Sequence, residues 1–221
     1  MRGMDTPQQL VDLDRNVDEL EGLGLRERKK RLRLGRIVHA AEALFMEKGF
    51  ANTTIQDISN QAEVGLGTLY LYARSKEDLL VLVFKQHILR MIEHAFEQVD
   101  PADELLDQMM TFFDGHIEYH KKDPSLSRTV LKELSFSSTE QRRRDIRQIM
   151  EASYTKLREL IELAGSRQGQ EQPYPGTTSW SAFALYYHLL QGYLCGFIDE
   201  AGFRKTLRNG LSMLLGLPES H

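Results

Sequence analysis

Two sets of residues in this chain could do chemistry, and they lie far apart in sequence. The first is a run of cations, Arg26, Arg28, Lys29, Lys30, Arg31, Arg33 and Arg36. Such a run neutralises a polyanion, above all the phosphates of a nucleic acid. The second lies in the other half of the chain, where His116 and His120 fall at i, i+4 among methionines and aromatic residues. On a helix that spacing puts both imidazoles on one face, where they can hold a metal or hydrogen-bond a ligand. The Met and aromatic neighbours suit a largely apolar ligand. No nucleophile elbow, phosphate loop or complete metal-ligand pattern accompanies either set, so an enzyme reading is weak and no cofactor is expected. Asp103, Glu104 and Asp107 open a helix, where acids complement the dipole and need no catalytic role.

The 221 residues carry 41% hydrophobic and 27% charged side chains, the balance of a water-soluble globular protein. Six prolines and few β-branched runs predict a nearly all-helical chain. One cysteine, Cys195, excludes an internal disulfide and suits a reducing cytosol. The first residues show no apolar signal segment, and no uncharged apolar stretch is long enough for a membrane helix, so a cytoplasmic protein without a membrane partner is expected. The net charge of −4 hides an uneven distribution. Residues 1–24 are net −4, residues 25–76 net +5, and the remainder net −5. The positive block surrounds the one part of the chain whose elements are short and sharply punctuated.

That part is Thr53 to Leu79. Thr53 with Gln56 reads as a capping-box pair, predicting a helix to about Ala62 with Ile55, Ile58 and Ala62 inward. Glu63, Val64 and Gly65 leave room only for a sharp turn. Leu66 to Tyr72 makes a second short helix anchored by Leu69. Ser75 caps a third helix that runs to about Gln98. Upstream, Leu25 to Lys48 forms the first core helix, closed by Gly49. Two short helices joined by a tight turn make a helix-turn-helix, whose second helix can lie in a DNA major groove. The upstream cations Arg28, Lys29 and Arg33 then become contacts to backbone phosphate or the adjacent minor groove.

The residues of this stretch also resemble a known family. Ala40, Ala41, Leu44, Phe45, Gly49, Phe50, Thr53, Thr54, Asp57, Ile58, Gly67, Thr68, Leu69, Tyr70, Tyr72, Ser75, Lys76 and Glu77 stand as in the N-terminal domain of TetR-family transcriptional regulators. The resemblance covers about a quarter of the chain. It implies that Thr53 and Thr54 face a phosphate at a helix N-terminus, which the free N–H groups there also favour. It implies phosphate contacts from Tyr70 and Lys76, and base contacts from Leu66, Gly67, Thr68, Leu71 and Tyr72. The sequence departs from the family at Glu63, where glycine is usual, and at Gly65, where serine is usual. Leu66 and Leu71 replace polar or aromatic readers, and Ala73 replaces phenylalanine. Readout through thymine methyls and DNA shape is therefore expected over direct hydrogen bonding.

The rest is read by pattern. A capping signature at Thr6 to Gln9 suggests a short helix over about Pro7 to Glu21 in an acidic extension. Further helices are expected over Pro101 to Lys122, Leu126 to Phe136, Thr139 to Gly165 (opened by a Ser137/Glu140 capping box), Thr178 to Asp199, and Phe203 to Leu215. Ser166 to Gly176 reads as a loop. The fold class is all-α: a three-helix DNA-binding domain with a helix-turn-helix, and a larger C-terminal helical domain for ligand binding and dimerisation. The boundaries are 1–24 for the extension, 25–74 for the DNA-binding head, 75–98 for a connecting helix and 99–221 for the effector and dimerisation domain. Ligand-lining candidates are Met109, Phe113, His116, Met150, Tyr154, Tyr186 and Tyr193. The last two helices are more apolar than a monomer surface needs, so Trp180, Tyr187, Leu194, Phe197, Leu207, Leu211 and Leu214 are dimerisation candidates, helped by close helix approach at Gly192 and Gly196.

The resulting expectation is a homodimeric repressor of a palindromic operator, released by a small and largely apolar effector. Its partners are double-stranded DNA, a second copy of itself and that effector. The competing readings are an enzyme and a helical interaction protein working through its acidic surfaces. Duplex-DNA affinity that falls steeply as salt rises separates the first reading from the other two. Catalytic turnover without DNA binding would favour the enzyme.

Overall fold

The computed structural model describes residues 24–135, 140–168 and 172–217. The predicted helix over Pro7 to Glu21 and the capping residue Ser137 fall outside them. Among the described residues there are nine helices and no strand. They are α1 (Leu25–Asn52), α2 (Ile55–Gln61), α3 (Leu66–Leu69), α4 (Lys76–Glu97), α5 (Leu105–Lys122), α6 (Pro124–Ser135), α7 (Glu140–Gln168), α8 (Pro175–Leu194) and α9 (Glu200–Leu214). No helix among them is long and apolar enough to cross a membrane. The chain divides into two compact units between His87 and Ile88, inside α4.

The first unit is built on the apolar stripe of α1. Ile37, Ala40, Ala41, Leu44 and Phe45 are buried, spaced so that one helix face carries them all. They meet Ile58 and Ala62 at α2, then Leu69, Ala73, Leu79 and Leu80, all buried. Gly49 interrupts α1 with φ 77°, ψ 157°, a conformation open to glycine alone without strain. Glu42 of α1, itself buried, faces His87 of α4 with Oε1 2.9 Å from Nε2.

Local capping differs by one residue from the sequence expectation. The N-cap of α2 is Thr54, whose hydroxyl accepts from Asp57 N while the Asp57 carboxylate accepts from Thr54 N. The pair expected was Thr53 with Gln56. Thr53 is unavailable because its side chain is buried elsewhere. The turn after α2 is held by Ser59, whose hydroxyl donates to Val64 O at 2.6 Å. Glu63 lies in that turn with φ 52°, the left-handed region that disfavours side chains. α3 is shorter than expected. Tyr70, Leu71, Tyr72 and Ala73 continue it only through turn-type bonds back to Leu66, Thr68 and Leu69. Ser75 caps α4 as expected, accepting from Asp78 N at 3.1 Å.

In the second unit α5 is central, burying Leu105, Gln108, Met109, Met110, Phe112, Phe113, His116, Ile117 and His120. It begins at Leu105 rather than Pro101, because residues 101–103 form a turn tied by Gln108 Nε2 to Asp103 O. α6 begins directly at Pro124, the Asp123 carboxylate accepting from Leu126 N. Arg204 of α9 pairs with Asp114 and Glu118 of α5 and Glu200 of its own helix, and Arg208 pairs with Asp107. Lys156 of α7 pairs with Glu93 at 2.8 Å and lies over the Phe96 ring. Gly115 lets α5 approach α4 closely, since a Cβ there would meet Ala95 Cβ at 2.7 Å.

Three helix ends correct the sequence reading. The expected loop Ser166 to Gly176 is shorter on both sides: α7 runs to Gln168, and α8 begins at Pro175, where proline needs no N–H partner. α8 also stops at Leu194 rather than Asp199. Gly196, with φ 77°, donates to Tyr193 O, and Phe197 N donates to Gly192 O at 2.8 Å, a Schellman closure. Gly196 is therefore a helix terminator, not a site of helix approach. Asp199 then caps α9 through Gly202 N.

The left-handed Glu63 gives a direct test. Replacing it with glycine removes about 1–2 kcal/mol of backbone strain against about 0.5–1 kcal/mol of added chain entropy. Glu63→Gly is expected to raise amide-exchange protection across α2 by about 0.5–1 kcal/mol, and Glu63→Val to lower it.

Candidate DNA-reading head and effector unit

The head is organised by the carboxyl end of α1. A helix end leaves carbonyls without partners, and here side chains from two other segments supply them. Thr53, 1% exposed, donates its hydroxyl to Gly49 O at 2.9 Å and Leu44 O at 3.1 Å. Lys76 Nζ donates to Phe50 O at 2.6 Å and Ala51 O at 3.1 Å, and lies 4.5 Å from the Phe50 ring centre. These contacts correct one expectation: Thr53 is a buried structural residue, and the residue exposed at that helix start is Thr54. Lys76 uses two of its three donors inside the head, where they hold the end of α1.

Around α3 the expected reading surface divides. Leu71 is 83% exposed and Tyr70 49% exposed. Gly67 is exposed, with open space where a side chain would stand. Leu66, Thr68 and Tyr72 are half-buried. The Tyr72 hydroxyl donates to Lys30 O in α1 at 3.3 Å, tying the segment after α3 to the basic helix. Arg28, Lys29 and Arg33 are all exposed on α1. Val64 in the turn is half-buried, whereas Ile58, Ala62 and Leu69 are core residues. Three features escaped the sequence reading. Gln56 and Asn60 form an exposed side-chain pair at 2.9 Å on α2, Arg74 is an exposed cation just after α3, and Ser59 closes the turn. The Thr54/Asp57 spacing was the available signal for the first of these helices.

In the second unit the structure brings three of the seven ligand candidates together, Phe113, His116 and Tyr186, and they and Met109 are all buried. Phe113 stacks on Tyr186 at 4.8 Å between ring centres, and His116 lies edge-on to Tyr186 at 5.4 Å. Met150 and Tyr154 line a groove of about 260 Å³ with Trp180, Phe183, Tyr187 and His188, and the Phe183 ring stands between Tyr154 and Tyr186. Tyr193 packs near Phe203. A second groove, of about 560 Å³, has an apolar floor that includes Leu131, Leu189 and Ile198, with Arg128, Lys132 and His188 among its lining. Sequence pattern missed it, since its residues come from α6, α8 and the turn after α8.

The dimerisation candidates also divide. Trp180 is 59% and Phe197 85% exposed, Leu214 is 37% exposed, and Tyr187 is half-buried. Leu194, Leu207 and Leu211 are buried within the unit. For these three the expectation is corrected. Phe203, Leu207 and Leu211 form the inward stripe of α9, and inward and interface stripes have the same period. Met213, 76% exposed, belongs with the exposed set instead.

Burial sets the protonation of the two histidines. His116 is held down at about 4, its Nδ1 lying 2.8 Å from Phe112 O. His120 is held at about 3 by burial and then by His116, with Nδ1 3.1 Å from Ser127 Oγ. Burial raises the Tyr186 hydroxyl. All three are neutral at pH 7.

A cation-flanked helix-turn-helix joined to a larger helical unit is the plan of a DNA-binding regulator. Residues 37–83 match the family model for bacterial regulatory proteins of the tetR family. Over those residues the chain is similar to tetR-family transcriptional regulators. It is 27% identical over 143 residues to the fatty acid metabolism regulator protein of Bacillus subtilis, spanning 65% of this chain and 73% of that one. The fold is shared with Thermus thermophilus FadR, a transcriptional repressor solved with lauroyl-CoA, at TM-score 0.67 and 21% identity over 85% of this chain and 96% of that one. It is also shared with Bacillus subtilis FadR solved with stearoyl-CoA, at TM-score 0.61 and 20% identity over 83% and 98%.

Two measurements check these placements. Thr54→Ala removes a helix N-cap and is expected to cost about 1 kcal/mol of head stability. Lys76→Ala is expected to cost about 1–2 kcal/mol, because charged donors leave the end of α1; both are read by amide exchange in α1 and α2. The histidines set a pH window. They bind protons near pH 6.5 when unfolded but only at about 4 and about 3 when folded, so the unfolded state takes up more protons below 6.5. Stability of the second unit is expected to fall as pH drops from about 6.5 toward 4, and His120→Gln to flatten that slope in pH-dependent urea unfolding.

Proposed function

We propose that this chain is a homodimeric repressor that occupies a palindromic operator and leaves it when an acyl thioester binds the second unit. The observation that carries the reading is the similarity to the fatty acid metabolism regulator over 65% of the chain, well beyond the head. The lauroyl-CoA and stearoyl-CoA complexes of two proteins of the same fold supply the ligand class. Residues 25–74 act as the head, 75–98 as the connecting helix and 99–221 as the effector and dimerisation domain.

In this reading Arg28, Lys29, Arg33, Thr54 and Tyr70 meet phosphates, and Leu66, Gly67, Thr68, Leu71 and Tyr72 approach the bases. Leu71 and Leu66 favour thymine methyls, and sequence-dependent DNA shape supplies the rest. Trp180, Phe197, Met213 and Leu214 leave apolar surface that a second copy covers. Two heads then reach half-sites ~34–36 Å apart. The effector acts by population shift, favouring a dimer whose heads no longer match that spacing, with α4 carrying the change. Its effect is bounded by the difference in its affinity for the two states.

The test uses duplex DNA selected from random sequence by the full-length protein. Fluorescence anisotropy is expected to show at least a tenfold rise in apparent Kd with saturating lauroyl-CoA or stearoyl-CoA, about 1.4 kcal/mol of coupling, and no change with CoA alone. Binding indifferent to both thioesters would remove the effector assignment.

A further inference from the structure

Among the described residues, two of the buried polar atoms without a hydrogen-bond partner belong to one cluster in the core of the second unit. They are His116 Nε2 on α5 and Tyr186 Oη on α8. Each residue is 2% exposed, and their rings stand 5.4 Å apart, edge to face. Buried polar side chains are nearly always paired, so a matched pair of orphans marks a place built for a third group.

The chemistry of that group follows from the donors and acceptors on either side. Phe112 O can only accept, so the 2.8 Å contact puts the His116 proton on Nδ1. A neutral imidazole then offers a lone pair at Nε2. Burial keeps the ring neutral and keeps the Tyr186 phenol protonated. One small group satisfies both: a hydroxyl, donating to Nε2 and accepting from the Tyr186 O–H. A thioester carbonyl or a carboxylate accepts from Tyr186 but leaves Nε2 unmet, and a methylene meets neither.

A path to the pair lies close by. The groove lined by Met150, Tyr154 and Trp180 also has Phe183 in its wall. The Phe183 ring lies 5.8 Å from that of Tyr186. Phe183 is thus both a wall of the groove and a neighbour of the Tyr186 ring. We propose that the second unit selects an apolar-chain ligand that carries a hydroxyl, the chain lying in the groove and the hydroxyl bridging Tyr186 and His116. This narrows the acyl-effector reading of the previous section and rests on it.

Trp180 is the only tryptophan in the chain and lines the groove, so its emission reports occupancy. The probes are lauroyl-CoA, 3-hydroxylauroyl-CoA and 12-hydroxylauroyl-CoA, titrated into the full-length protein. At least one hydroxylated probe is expected to bind about tenfold tighter than lauroyl-CoA, the worth of one well-made buried hydrogen bond. Tyr186→Phe deletes a single oxygen, so packing is kept; in it the preference is expected to fall within about twofold. Lauroyl-CoA binding as tightly as both hydroxylated probes overturns this inference and leaves the acyl-effector reading standing. So does a preference that survives Tyr186→Phe. Failure of all three probes to change Trp180 emission or shift Tm overturns the acyl-effector reading, and this inference with it.

Discussion

The geometry of the head depends on how the carbonyl end of α1 is closed. Gly49 breaks the helix, and the carbonyls exposed around the break are met by Thr53 from the approach to α2 and Lys76 from the start of α4. Charge-assisted bonds such as those of Lys76 are worth about 1.5–3 kcal/mol, against roughly 0–1 for an exposed ion pair such as Arg36 with Glu63 at 3.9 Å. The closure therefore outranks the surface charges in setting where α2 and α4 begin. Phe50 completes it, packing against Phe45 at 5.3 Å and under the Lys76 ammonium. α3 is only four residues long and has little stability of its own. Its position is inherited from these ends, from the Ser59 bond across the turn and from the Tyr72 tie to α1.

Much of this was legible in the residues. Ile37 to Phe45, Ile58, Leu69 and Leu79 carry the helical period of a core, and Ser75 and Gly49 mark their helix ends without ambiguity. What could not be read were bonds between distant residues. Nothing local to Lys76 says that it reaches back to Phe50 and Ala51. The Thr53/Thr54 doublet offered two caps, and the choice fell to the one whose hydroxyl was not needed elsewhere. The same limit governed α9, where Leu207 and Leu211 share a period with an interface stripe but face inward. At the end of α8, Gly196 in the left-handed conformation stops a helix whose apolar pattern alone continues to Asp199.

The second unit carries most of its charges outside, with Arg142 and Asp145 as buried exceptions, and its polar puzzles inside. Arg204, Arg208, Lys121 and their acidic partners lie along the outer surface of α5 and α9, where water screens them. Within, two neutral histidines and a tyrosine sit in an aromatic core. His120 is reconciled with its burial through Ser127, whose hydroxyl also reaches His120 O. His116 is only half reconciled, through Phe112 O. The i, i+4 spacing put both rings on one face, as their sequence positions require. The difference between them came from α6, which brings Ser127 to one ring and not to the other.

The central claim is that two such heads act together on one stretch of DNA. Footprinting the full-length protein on its selected duplex tests this most directly. The account predicts two protected half-sites, related by two-fold symmetry and centred about one helical turn apart, ~34–36 Å. Protection of a single unpaired half-site, or of sequence without symmetry, would contradict it.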